Sequence, residues 1–246
     1  MLLLTKEFHG IESKQYLRGI MLRAMSRVFN TIALFLPLKI LILLSSPTMP
    51  SYFEFLSRWL TRESFLLIML SLTPATYLCY LVTGIISNRA FTASYSYCKS
   101  KEVNVKGYAI KGNKLKWFHD HCAKGSSELL ICLIGIFLIG VVNYIYLASL
   151  IFIGGVFFIT MLHVLYPEGK EFKSAIFNIP ISSFIEYCTA VLYFIIFFII
   201  IIFVYLNVLG LYESLLVLLT SRLIVQSVQK LLVEGFYIDK DLKSLS

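Results

Sequence analysis

Apolar runs, each about as long as a bilayer is thick, alternate along this chain with polar stretches that gather nearly all of its charge. A helix needs about 20 predominantly apolar residues to cross the hydrocarbon core. Six stretches reach that length: 29–46, 65–86, a block 128–166 cut near Asn143, and a block from 181 into 227 cut at Asn207 and Gly210. Lipid satisfies no backbone polar group, so spanning segments are helices or a closed barrel, and continuous apolar runs without alternation predict helices. The expected fold is all-α: a polytopic membrane helical bundle with six transmembrane helices. Pro37 and Pro74 fall inside the first two spans, where proline predicts a kink.

Ahead of the first span, residues 11–28 carry Leu17, Ile20, Met21, Ala24 and Val28 on one helical stripe, edged by Lys14 and Arg18 on one side and Arg23 and Arg27 on the other. That pattern predicts an N-terminal amphipathic helix lying in the interface, its long cations snorkelling to water. The expected divisions are a cytoplasmic N-terminal segment 1–28, a six-helix domain 29–233 and a charged tail 234–246. The start Met-Leu-Leu-Leu turns polar at Lys6 and lacks the signal-peptide pattern, which leaves the first span as the expected insertion signal. Between spans one and two, Tyr52, Phe53, Phe55 and Trp59 suit the outer headgroup belt.

The longest polar stretch, 88–127, holds Arg89, Lys99, Lys101, Lys106, Lys111, Lys114, Lys116 and Lys124 against Glu102 and Asp120. With six spans, all but three of the 22 Lys and Arg residues fall on one side; Arg58 and Arg62 fall opposite, and Lys39 lies within span one. Cations near span ends are retained inside, so both termini are expected in the cytoplasm, in the bacterial inner membrane. Composition agrees, with 58% apolar residues, 15% charged and a mean hydropathy of +0.81. These values exclude an ordinary soluble domain, and 246 residues leave no room for a soluble catalytic one. The net charge of +8 is accounted for by anionic headgroups at the cytoplasmic boundary, so the expected partner is the lipid bilayer and not nucleic acid. Five cysteines, odd in number and without CxxC spacing, read as buried apolar residues or reduced thiols.

Few residues promise chemistry. Lys39 in mid-span would cost roughly 2.5–3.5 kcal/mol on insertion scales, which directs it toward a bundle interior, a pore or an acidic partner. Glu186, near the inner start of span five, and Glu213, near the outer start of span six, are the candidate partners, and together the three form a candidate substrate path. His163 near the inner end of span four reads as a packing residue. The string His119-Asp120-His121-Cys122 holds zinc-type ligands, but neighbouring residues diverge on a helix and no second ligand pair exists. It reads as a solvated turn, with no metal. From Gly107 to Lys114 the chain approaches the phosphate loop GxxxxGK[ST], yet Asn113 occupies the lysine position, and Lys114 is followed by Leu115, which has no hydroxyl. That stretch reads as a glycine-containing loop without a nucleotide site, and no cofactor is expected.

The amphipathic helix, Pro37-Leu38-Lys39 in span one, the short outer loop, the two further hairpins and the last helix through Ser221-Arg222-Leu223-Ile224-Val225-Gln226-Ser227-Val228-Gln229-Lys230 make a layout that resembles the transmembrane domain of ATP-binding-cassette exporters. The resemblance covers about residues 11–240. It implies a membrane-spanning subunit of an export system, a homo- or heterodimer that couples a separate ATPase subunit to alternating access. It also implies that Lys99, Lys101, Lys106, Lys111, Lys114 and Lys116, together with Glu168 and Lys170, dock that ATPase. The ATPase itself is absent from the chain, and the cytoplasmic extensions are short for the family. A non-transporting anchoring, immunity or assembly protein is the alternative expectation. A membrane enzyme using His119, His121 or His163 on a lipid-linked substrate ranks last, because these histidines are scattered.

Overall fold

The computed structural model describes residues 13–45, 61–100, 103–105, 108–110, 112–165 and 180–243. They form six helices: α1 Ser13–Ser45, α2 Arg62–Ser100, α3 Asn113–Val142, α4 Tyr144–Leu165, α5 Ile181–Tyr205 and α6 Leu211–Lys243. Between α2 and α3 stands one small antiparallel ladder, β1 Val103–Val105 and β2 Tyr108–Ile110, in the register Val103↔Ile110, Asn104↔Ala109 and Val105↔Tyr108. The fold is an all-α helical bundle, with this ladder where a plain loop is expected from the sequence. Strand β2 occupies Tyr108–Ile110, which removes that part of the phosphate-loop-like string from loop geometry altogether.

The chain divides into two compact units. In the first, Lys14–Ser94, α1 and α2 lie antiparallel: Ser87 Oγ donates to the Gly19 carbonyl at 2.9 Å and Ser26 Oγ to the Tyr80 carbonyl at 3.0 Å. The Phe91 ring sits over Gly19, where a Cβ would come within 2.7 Å of it. Helix α1 runs unbroken across the expected boundary at residue 28, because neither Gly nor Pro interrupts 20–36. Ile20 and Ala24 of its stripe are buried, while Leu17 and Met21 stay exposed. Thr61 caps α2, its Oγ1 accepting from the Ser64 amide at 3.3 Å. Along α2, Ser71, Thr73, Thr76 and Thr83 donate their hydroxyls to carbonyls three or four residues back, which satisfies these groups without a partner helix.

The second unit, from Tyr95 onward, holds the end of α2, the ladder and α3–α6. Its core joins Ile139, Tyr146, Leu192, Ile196, Val217 and Ile224, with a smaller cluster of Met161, Leu165, Ile185 and Leu232. Helices α3 and α6 approach closely: a Cβ on Gly135 would lie 2.6 Å from Ile224 Cγ1, and the Cys132 thiol donates to the Ile224 carbonyl at 3.8 Å. Small residues permit this approach where helix association depends on packing. The Tyr146 and Ser221 hydroxyls share a buried 2.9 Å hydrogen bond.

The expected breaks at Asn143 and Asn207 fall where the structure ends α3 and α5. Asn143 takes extended backbone, accepts the Tyr146 amide on Oδ1 at 2.9 Å as the N-cap of α4, and donates Nδ2 to the Val208 carbonyl at 3.1 Å. One side chain thus starts α4 and ties the two hairpin turns together. At the other break, Val208 N–H bonds the Phe203 carbonyl at 2.9 Å and Asn207 N–H the Val204 carbonyl at 3.0 Å. That is the Schellman closure, and it places Asn207 at φ 56°, a conformation asparagine tolerates better than most residues.

One further expectation is corrected within this unit. The string 119–122 is not a solvated turn: α3 begins at Asn113, and His119 and Cys122 are fully buried. The physical reason is an apolar stripe, Leu115, Phe118, Cys122 and Ala123, at helical spacing. Helix α6 continues through the segment expected as a charged tail, to Lys243, with Ile238 buried. Arg222, through which the last span is expected to run, lies between Thr220 and Ile224, the two residues that face Gly135 in the middle of the apolar part of α3.

Candidate functional site

Helices α3 and α6 continue together beyond their apolar middles, and the polar side chains they turn toward each other there form the most developed polar cluster among the described residues. Glu128 and His121 are seven residues apart on α3, and Lys230 and Glu234 four apart on α6, so each pair shares a helix face. Because the helices run antiparallel, the signs alternate in register. Glu128 Oε1 meets Lys230 Nζ at 3.5 Å, and His121 Nδ1 meets Glu234 Oε2 in a close contact two turns further out. Glu128 is almost wholly buried (5%) while Lys230 is half-exposed (45%), so the lysine screens a carboxylate that water cannot reach. The His121 and Glu234 side chains are mostly covered.

Aromatic rings close this second pair. The Trp117 and His121 ring centroids are 3.9 Å apart, and Tyr237 lies 6.0 Å from His121 on the other side. Apolar walls strengthen the attraction within a charged or hydrogen-bonded pair. Deeper in, His119 packs 6.0 Å from the Tyr95 ring, with its Nδ1 3.8 Å from Asp120. What such an arrangement does is to clamp two helices through paired polar side chains. No group of three or more His, Cys, Asp or Glu among the described residues is placed to hold a metal ion.

The residues singled out from the sequence are distributed elsewhere. Lys39 lies in the first unit, half-buried, its Nζ 5.0 Å from the Phe35 ring centre, a cation–π contact. Glu186 is exposed on the first turns of α5. Glu213 occupies the third position of α6 and accepts the Gly210 amide on Oε2 at 3.1 Å, the reach-back half of a capping box. Its carboxylate starts a helix, and α5 separates it from Glu186 by about 28 Å of helical rise, so the two sit at opposite ends of their unit. His163 is exposed and its Nδ1 lies 3.4 Å from the Ile159 carbonyl, a local contact on its own helix. Lys99, Lys114 and Lys116 are exposed around the ladder. Lys101, Lys106, Lys111, Glu168 and Lys170 lie outside the described residues, as do the aromatics expected between spans one and two.

Sequence reasoning passed over Trp117, Glu128, Lys230, Glu234 and Tyr237 as a set. The available clue was the pairing of lone charges toward the polar ends of two apolar helices, which only an antiparallel register turns into contacts.

No family model, curated protein or solved structure matches the chain. The class therefore rests on the fold. Six helices among the described residues are long and apolar enough to cross a membrane. The second unit presents Phe137, Val141, Phe152, Phe194 and Ile202 outward, a surface that lipid and not water would cover. This is a multi-pass helical membrane protein.

Proposed function

We propose that the chain is a membrane-spanning subunit of an export assembly of the bacterial inner membrane, with both termini cytoplasmic, coupling a separate ATPase subunit to alternating access as exporters of the ATP-binding-cassette type do. The observation that carries this reading is the α3–α6 pair. Two helices that cross the apolar layer and continue past it, clamped by Glu128–Lys230 and His121–Glu234, act as one stiff lever. Its outer end stands beside a ladder flanked by exposed Lys99, Lys114 and Lys116, a cationic surface suited to an acidic soluble partner. Movement at that surface is carried into the bilayer by packed helices, without any hinge of Gly or Pro within 113–124. Lys39 lines the path by this reading, and the chain works as a homo- or heterodimer.

The test is mild-detergent purification of the tagged protein from its host, with mass spectrometry and an ATPase assay of the eluate. Recovery of a nucleotide-hydrolysing subunit, lost when Lys99, Lys114 and Lys116 are changed together to Glu, supports the reading. An eluate without ATPase overturns it in favour of an anchoring, immunity or assembly role.

A further inference from the structure

Arg222 stands about 18 Å along α6 from Gly210, close to the centre of a hydrocarbon layer about 30 Å thick. It is exposed, and no hydrogen bond or ion pair reaches it from any described residue. Gln226, one turn further along the same face, is exposed as well. Charges at this depth are costly and are found paired, or facing protein or water. The sequence supplies no counter-charge: segments 13–45, 64–101, 129–142, 144–165, 187–205 and 214–233 contain no Asp or Glu. Of the carboxylates in the second unit, Glu213 caps α6, Glu128 pairs with Lys230 and Glu186 stands exposed on the first turns of α5, all outside the acid-free stretches that hold Arg222. A second copy of the chain carries the same acid-free spans, so self-association brings Arg222 no carboxylate at its own depth and sets like charges near one another.

We infer that the Arg222–Gln226 face of α6 is a docking site for a membrane-spanning helix of a different chain, one that carries an Asp or Glu at mid-bilayer depth. The guanidinium fork donates to both oxygens of a carboxylate, and in the absence of water this pairing fixes both depth and rotation of the incoming helix. Gln226 adds an amide donor and acceptor one turn away. The inference requires only that α6 cross the membrane, and it stands whether or not an ATPase docks on the cytoplasmic side.

The experiment uses the full chain in phosphatidylcholine vesicles with three synthetic oligo-leucine transmembrane helices, bearing Asp, Leu or Lys at their midpoint, and reads association by energy transfer. The Asp helix is expected to bind about tenfold more tightly than the Leu helix, the range seen for polar contacts between membrane helices. Arg222→Leu is expected to abolish that preference, and Arg222→Lys to keep part of it. Removing the charge from a lipid-facing position favours insertion, so the Leu variant remains in the membrane. Equal binding of the Asp and Leu helices, or a preference that survives Arg222→Leu, overturns the inference. So does a preference erased by adding phosphatidylglycerol, which would assign Arg222 to a lipid phosphate. In the native membrane, a photo-crosslinker at residue 226 is expected to capture a foreign peptide with a membrane-embedded carboxylate. An adduct to a second copy, to lipid alone or to a helix without an acid overturns it.

Discussion

At the scale of single residues, the stability of the second unit depends on side chains whose partners are unequal. Removing Lys230 leaves the Glu128 carboxylate buried without its ion partner, whereas removing Glu128 leaves a half-exposed ammonium that water can solvate. Lys230→Met is therefore expected to destabilise the protein in detergent by about 1–3 kcal/mol, and Glu128→Gln by less. Thermal melts of the two variants check the order; equal losses would mean that Lys230 does not screen the carboxylate. A second prediction concerns Asn207. At φ 56° a β-branched residue is strained, so Asn207→Val costs about 1–3 kcal/mol and Asn207→Gly much less. Asn143→Ala loses both the α4 cap and the tie to Val208, at about 1–2 kcal/mol.

At the scale of elements, the α3–α6 contact is set by one glycine. A methyl at Gly135 meets Ile224 at 2.6 Å, and overpacking of that kind costs about 1–3 kcal/mol. Gly135→Ala is expected to lower stability, and to cost less in an Ile224→Ala background, where the Cγ1 that the methyl meets is gone. Gly154→Ala, where nothing lies within 4 Å, is the control and should be neutral or stabilising. Such differences of contact also explain which elements the sequence discloses. The six spans are legible because apolar length is a local property, and the breaks because Asn143 and Asn207 interrupt apolar blocks with residues that cap and turn. The start of α3 is not, since the lysines of 111–124 outweigh the stripe Leu115, Phe118, Cys122 and Ala123 on inspection, although burial follows the stripe. The polar clamp is illegible for a different reason. Glu128 with Lys230 and His121 with Glu234 are over a hundred residues apart in sequence, and only the antiparallel register joins them.

For the whole molecule, complete spans are distinguished from re-entrant hairpins by length and by the energetics of insertion. Helix α4, with 22 residues, is the shortest of α3–α6, yet its rise of about 33 Å exceeds the hydrocarbon thickness. Helix α6 carries Arg222 near mid-depth at roughly +2.5 to +3.5 kcal/mol. The thirteen Leu, Ile and Val residues of 211–233 weigh against it with about −4 to −8 kcal/mol in total, while Lys230, Gln226 and Gln229 add to the cost. On the reading proposed above both hairpins span completely, and the cation distribution is expected to set Asn143 and Asn207 on the outer face. Reporter fusions ending at 143 and at 208 should be active only outside the membrane, and fusions at 112 and 246 only in the cytoplasm. An inside-active fusion at 143 would make the α3–α4 hairpin re-entrant. Because α6 carries Arg222, Gln226, Gln229 and Lys230, the fusion at 246 is also expected to be the most sensitive to charge. Arg222→Leu should sharpen its cytoplasmic signal, and a second arginine at position 219 should send a measurable fraction of α6 back without crossing. An orientation indifferent to both changes would mean that α6 does not cross on its own hydrophobicity and is carried by its packing against α3.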